Sequence, residues 1–211
     1  MMQVRSTAAA ATGAVFAVVL TVANGQGGTL SASRDIAATA ALTLLIPFSV
    51  YLGGLLRARA TTGTDAWLAT TATAAGAVGT GMKLLSDAPQ QALSYDGIAA
   101  GGQAALALTA MADATTILAL FPLGLFAFAV GAASLRARAL PTWLGVGALV
   151  AGASLLVNGC FLHTENVPAL LVLSLWCLVT SIHLVRASRR HEVDAGRVGV
   201  PARRDVPVSE V

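Results

Sequence analysis

Charged residues are scarce in this sequence. They make up 11% of the 211 residues, against about 25% in ordinary soluble domains, and the mean hydropathy is +0.75. This composition excludes a soluble globular domain and indicates a chain embedded in a membrane. The pI near 9.4 does not indicate a nucleic-acid-binding protein, because the basic residues lie at the ends of apolar stretches and form no single patch.

Catalytic and metal-binding motifs are also missing. The chain has no HExxH, no CxxC, no phosphate-binding loop, no GxGxxG and no GxSxG. His163 and His183 lie at opposite ends of the last apolar stretch, about 30 Å apart at helical rise, so they cannot share an ion. The sequence therefore predicts no enzymatic activity, no cofactor and no metal site.

Cysteine is almost absent. The two cysteines, Cys160 and Cys177, are predicted to differ in membrane depth by about 12 Å, which exceeds the ~7 Å limit between the Cα atoms of a disulfide. We therefore predict no disulfide. Both side chains are expected to be buried among apolar neighbours.

Long apolar runs are abundant instead, and the clearest pair forms a hairpin over residues 115–161. Each arm has roughly 20 residues, enough to cross ~30 Å of hydrocarbon as a helix. The turn between them, LRARALPTW, carries Arg136, Arg138 and Trp143. Cationic residues and tryptophan are typical of the cytoplasmic edge of a membrane.

The whole sequence predicts an all-α integral membrane protein with a bundle of six transmembrane helices over residues 1–185. The predicted spans are 8–23, 36–56, 66–85, 114–135, 142–162 and 167–185. Residues 86–113 are predicted to form a loop, with a surface helix broken by the glycine pair at 101–102 as the alternative. The mixed-charge segment 186–211 is predicted to be disordered.

The first apolar run leaves two alternatives open. It is short for a span and resembles the core of a signal peptide, with a candidate cleavage site at residues 21–23. If it were cleaved, five spans would remain. The topology of the following residues is the same in both cases.

The distribution of basic residues predicts the orientation. With the N-terminus inside, all Lys and Arg residues except Arg34 and Lys83 fall on the cytoplasmic side, which is eleven of 13. This asymmetry follows the positive-inside rule. We expect a multi-pass protein of a bacterial cytoplasmic membrane with a cytoplasmic C-terminus.

Two patterns concern helix packing. Gly145, Gly152 and Gly159 recur at seven-residue spacing, which places them on one helical face and predicts a packing seam for a neighbouring helix. LRARA occurs twice, after Leu55 and after Ser134, and each copy is followed by a tryptophan that opens the next helix. The repeat raises a duplicated helical hairpin as one alternative and chance recurrence of common residues as the other.

Polar side chains collect toward the predicted outer half of the bundle. They are Lys83, Asp87, Asp113, Asn158, His163 and Glu165. Structural roles are available for several of them, because Lys83 can pair with Asp87 at i, i+4, Asp113 can cap the fourth helix and Asn158 can bond between helices. The functional alternative is an outward-facing pocket in which Lys83 and Asp113 orient a small polar ligand or a lipid headgroup.

The stretch from Asp113 through Gly152, with its FPLGLF and LRARALPTWLG segments, resembles uncharacterised multi-pass membrane proteins of actinobacteria. It is similar in layout to the DUF4386-like group. The resemblance covers about a quarter of the chain, implies a helical bundle in a bacterial cytoplasmic membrane and supplies no catalytic residues.

Two functional hypotheses follow from these observations. The first is a non-enzymatic membrane protein that acts through helix packing, with the lipid bilayer around it and a second copy or another membrane protein as partner. The alternative is a small transporter or ligand-binding membrane protein with an outward-facing polar pocket. A nucleic-acid partner is not expected.

Overall fold

A computed structural model describes residues 2–25, 39–93, 102–162 and 167–198 of the chain. Every regular element in these ranges is helical, and none is a strand. The predicted all-α class is confirmed. The helices are α1 Met2–Gly25, α2 Leu45–Arg59, α3 Gly63–Leu93, α4 Gln103–Ala137, α5 Thr142–Val157 and α6 Val167–Val198.

Four stretches are long and apolar enough to cross a membrane: Thr39–Arg59, Gln103–Ala137, Thr142–Phe161 and Ala169–Arg190. Two other predicted spans, 8–23 and 66–85, lie on helices that do not meet the same criterion. Helix α1 contains the shorter apolar segment Thr7–Val19, and α3 is rich in threonine and glycine, which lowers its hydropathy. Their membrane crossing stays a prediction at this point.

The six helices pack as a closed ring. Each helix contacts the next in sequence order, α6 returns to α1, and α2 also contacts α4 across the ring. The core contains side chains from each part of the ring, including Phe16 of α1, Phe48 of α2, Phe126 of α4 and Leu155 of α5, all 2% exposed or less. Helix α1 is thus part of the core.

Three boundaries differ from the sequence-based prediction. Helix α3 continues through Pro89 to Leu93, and α4 begins at Gln103, so the described parts of the predicted loop at residues 86–93 and 103–113 are helical. Residues 103–112 are mostly Ala, Leu, Gln and Met, which are strong helix formers. Helix α6 extends to Val198, so the first half of the predicted disordered tail is helical, since an established helix adds residues at little cost. Residues 199–211 lie outside the described residues.

Pro47 and Pro122, each in the middle of a predicted span, behave differently. Helix α2 is preceded by helical residues 39–43, with a turn at Leu44 between the two segments. The turn lies three residues before Pro47, where the proline ring interferes with the preceding helical turn. Helix α4 continues without interruption through Pro122.

The glycine seam packs inside the chain, against α4. A Cβ atom on Gly152 would lie 2.7 Å from the backbone nitrogen of Phe128 and 2.8 Å from the carbonyl oxygen of Gly124. Gly145 faces Leu135, and Gly159 faces Phe121. The neighbour of the predicted seam is therefore the other arm of the central hairpin.

We expect Gly152→Ala to lower the free energy of unfolding by about 1–3 kcal/mol, because the added methyl group meets backbone atoms that cannot rotate away. The matched control is Gly54→Ala in α2, where an added Cβ has no heavy atom within 4 Å and the helix gains in propensity. Thermal unfolding in detergent, followed by circular dichroism, compares the two variants. Equal melting temperatures would contradict the close packing of α4 on α5.

Candidate functional site

Lys83 forms an ion pair within its own helix. Its Nζ donates to Oδ1 of Asp87 at 2.6 Å and to Oγ of Ser86 at 2.9 Å. The Lys83 and Asp87 side chains are only 14% and 15% exposed, and Ser86 is fully buried. The predicted i, i+4 pair is present, and the charge of Lys83 is balanced one turn away on α3.

Asp113 does not cap a helix. Helix α4 begins at Gln103, with Gly102 at the N-cap position, so Asp113 lies ten residues inside the helix, and the capping prediction is wrong. The prediction failed because helix-forming residues extend α4 by nearly three turns before Asp113.

Lys83 and Asp113 form no hydrogen bond or ion pair with each other and lie at different heights along their helices. Helices α3 and α4 run with Gly79 against Leu123 and Gly76 against Phe126, a register that places Lys83 level with residue 119. Asp113 lies six residues further along α4, about 9 Å at helical rise. No hydrogen bond or ion pair connects Asp113 to another residue in the described ranges. The outward-facing pocket that these two residues were expected to line stays a prediction.

Asn158 opens a short π-helical turn, Asn158–Leu162, that continues α5. The residue is 5% exposed, and its Oδ1 has no hydrogen-bond partner among the described residues. The predicted interhelical bond is thus not made through this oxygen.

Cys160 in the π-helical turn is exposed while Cys177 is buried, which corrects the expectation that both are buried. His163 and Glu165 lie outside the described residues.

The opposite end of the bundle carries a site that the sequence analysis did not single out. Asp65 lies in the first turn of α3 and is 3% exposed. Its Oδ2 accepts hydrogen bonds from the backbone N–H of Thr62 and the hydroxyl of Thr61, both at 3.2 Å. In return, the Asp65 backbone N–H donates to Thr62 Oγ1 at 3.2 Å. This reciprocal pair of bonds is a capping box.

The second carboxylate oxygen of Asp65 binds a different helix. Nε of Arg136, in the last turn of α4, donates to Asp65 Oδ1 at 2.8 Å. The hydrogen bond from Arg136 is the largest cause that lowers the pKa of Asp65 to about 2, and the bond from Thr62 is the second. The charged carboxylate therefore fixes both the start of α3 and the end of α4.

The sequence did contain part of this signal. Thr62 and Asp65 have the spacing of a capping box at the start of a helix. The pairing with Arg136 could not be read from spacing, because 71 residues separate the two side chains. Arg136 was assigned to the membrane edge, where positive charge alone explains an arginine.

The two LRARA copies have different structures. The first ends α2 at Arg59, followed by Ala60 in an extended conformation. The second ends α4 at Ala137, followed by Arg138 with a left-handed φ of 49°, and the Ala139 N–H donates to the Ser134 carbonyl. The first arginine of the second copy pairs with Asp65, whereas its counterpart Arg57 is exposed. The turns are therefore not structural copies of each other.

Comparisons of the chain with protein families, curated proteins and solved structures find no match. Within the described part of the chain, no three His, Cys, Asp or Glu residues lie close enough together to hold a metal ion. The two polar sites thus define the chemistry that the structure offers: a neutralised ion pair within α3, and a carboxylate that joins α3 to α4.

Asp65 predicts a pH dependence of stability. Its folded-state pKa of about 2 lies below the value of about 3.9 expected when unfolded. The stabilisation from the ionised carboxylate is complete above pH ~5 and is lost as the pH falls from ~4 toward ~2. We expect the melting temperature of the wild type to fall more steeply between pH 5 and pH 3 than that of Asp65→Asn.

The control is Asp113→Asn, which removes a carboxylate without a described partner and should keep the wild-type profile. Parallel profiles for the wild type and Asp65→Asn would contradict the role assigned to this carboxylate.

Proposed function

We propose that this chain is a six-span protein of a bacterial cytoplasmic membrane that acts without enzymatic chemistry, through helix packing in the bilayer. The closed ring is the observation that carries the proposal. Helix α3 lies between α2 and α4, and α1 lies between α2 and α6. Since these flanking helices are apolar enough to span, α1 and α3 share their environment.

Helix length supports the same conclusion. Helix α1 has 24 residues and α3 has 31, which correspond to about 36 Å and 46 Å of helix against ~30 Å of hydrocarbon. The low hydropathy of α3 is tolerable because its polar threonines bond to their own helix, as the exposed Thr70 does to the Ala66 carbonyl at 3.0 Å. Hydroxyls satisfied in this way expose little unpaired polarity to lipid.

Charge supports the orientation. The bundle end that carries Asp65 and Arg136, which we call the inner end, also carries Arg57 and Arg59 at the end of α2 and Arg186 on α6. The opposite, outer end carries Lys83, which is paired with Asp87. An excess of arginine at one end favours a cytoplasmic location for that end.

A partner would contact the outside of the ring. The glycine seam of α5 is occupied by α4 and is therefore not available to another chain. Large apolar side chains remain exposed around the ring, among them Phe128 at 45%, Leu175 at 62% and Trp67 at 64%. These surfaces suit lipid tails and the transmembrane helices of a second copy or another membrane protein. In the transporter alternative, Lys83 and Asp113 would hold a ligand between them across about 9 Å along the helices, and Lys83 is already paired with Asp87.

Cysteine accessibility tests the crossing and orientation of α3. Gly63 is the first residue of α3, Ala104 lies on α4 beyond the end of α3, and both are exposed. In a Cys160→Ser background, each receives a single cysteine, and spheroplasts are treated with a membrane-impermeant maleimide. We expect Ala104→Cys to react in intact spheroplasts and Gly63→Cys only after permeabilisation.

The remaining native thiol, Cys177, is fully buried and provides the unlabelled control. Reaction of both variants from the same side would show that α3 does not cross the membrane. The reversed pattern would place the inner end outside the cell.

A further inference from the structure

Four of the seven buried hydroxyl groups in the described helices bond to a backbone carbonyl of the preceding turn. Ser174 Oγ donates to the Leu170 carbonyl at 2.8 Å, and Ser49 Oγ donates to the Ile46 carbonyl at the same distance. Ser134, Thr180 and Ser181 depart from this pattern. They are fully buried, and their hydroxyl oxygens have no hydrogen-bond partner in the described structure. Buried hydroxyls of this kind disfavour the conformation that leaves them unpaired.

Thr180 faces the interior of the ring. On α6, Trp176 bonds through Nε1 to the Leu144 carbonyl of α5 at 3.0 Å, and Ser181 lies against Gly13 of α1. Thr180 lies about 40° around the helix from Trp176, between these two directions. The neighbours of α6 in the ring are α5 and α1. A side chain of α6 that points between these two helices faces the interior of the ring.

Ser134 lies on the corresponding side of α4. Leu123 faces Gly79 of α3, and Gly131 faces α5. Ser134 lies about 20° from Leu123 and about 60° from Gly131 around the helix axis, between the two neighbours. It is two residues before Arg136, so its unpaired hydroxyl belongs to the inner end of the bundle.

The centre of the bundle beyond these hydroxyls is apolar. Phe126 and Trp176 meet edge to face, with ring centroids 6.2 Å apart, and Ala127 and Leu155 are fully buried nearby along α4 and α5. Unpaired hydroxyls on the inward side of α4 and α6 therefore lie at the inner end, below an apolar layer.

The same end carries the only ion pair that joins two helices in the described ranges, between Asp65 of α3 and Arg136 of α4. We propose that this ion pair holds the inner end of the bundle closed, and we call it the latch. The structure shows the latched state, and release of Arg136 lets the last turns of α4 move outward so that water reaches Ser134 and Thr180. The unpaired hydroxyls favour the open state, and the ion pair opposes it.

Native Cys177 reports on this opening without any substitution in the interior. It is fully buried and lies three residues before Thr180, between Trp176 and Ser181 around α6. In a Cys160→Ser background it is the only thiol of the chain. The rate of its alkylation by iodoacetamide is measured by intact-protein mass spectrometry on the full chain in detergent, where the result does not depend on membrane orientation or on the proposed function.

We expect Asp65→Asn to raise the alkylation rate of Cys177 about fivefold, the change expected from loss of one favourable ion pair, and Arg136→Gln to do the same. The matched control is Asp87→Asn, which breaks the Lys83–Asp87 pair at the outer end and should leave the rate unchanged.

A second arm tests the hydroxyls. The double variant Ser134→Ala with Thr180→Val keeps the latch and removes the groups that gain from hydration, so alkylation should become about fivefold slower than in the parent. The proposal is overturned if neither latch variant accelerates alkylation, if Asp87→Asn accelerates it equally, or if the double variant does not slow it.

Discussion

Close approach of helices at small residues is the constraint on which this bundle depends. Between helices that face lipid, apolar side chains gain little from burial, so association rests on packing and interhelical polar contacts. A glycine meets the neighbouring helix at each interface of the ring: Gly13 at the contacts of α1 with α2 and α6, Gly53 between α2 and α3, Gly79 between α3 and α4, Gly152 between α4 and α5, and Gly147 between α5 and α6. The ring can close because backbone and side chain meet directly at these positions.

The two ends of the bundle manage charge differently. At the outer end, Lys83 and Asp87 neutralise each other within α3, so this pair places no restraint on a neighbouring helix. At the inner end, Asp65 organises the start of its own helix and also binds Arg136 of α4. Only the second arrangement couples a local capping motif to tertiary structure. A change at Asp65 therefore affects two helices, whereas a change at Asp87 is confined to one.

Local sequence predicted the all-α class and the apolar centre of each helix, because apolar run length is a local property. It did not predict the added turns of α3, α4 and α6. The Lys83–Asp87 pair followed from i, i+4 spacing. The capping role of Asp113 did not hold, since helix propensity over residues 103–112 moved the start of α4 away from it. The seam of Gly152 was visible in the spacing, but its neighbour was not, because spacing gives a helical face and not the helix that covers it.

The ion pair between Asp65 and Arg136 was also not predictable from local sequence. Each residue had a sufficient local explanation, a helix start for Asp65 and a membrane edge for Arg136, and only the antiparallel register of α3 and α4 brings them together. The unpaired Oδ1 of Asn158 was equally unpredictable, because an amide in a helix is expected to find a partner.

Helix α1 closes the ring against α6 and is part of the folded core. Thr7 of α1 and Ser188 of α6 lie side by side, with 3.3 Å between their hydroxyl oxygens, so cysteines at these two positions bring their sulfur atoms within reach of each other. The direct measurement is oxidation of a Thr7→Cys, Ser188→Cys variant in the Cys160→Ser background, followed by peptide mass spectrometry. The closed ring predicts a disulfide that links the first helix to the last. Two freely alkylated thiols under oxidising conditions, or a purified chain that lacks the peptide containing residue 7, would contradict it.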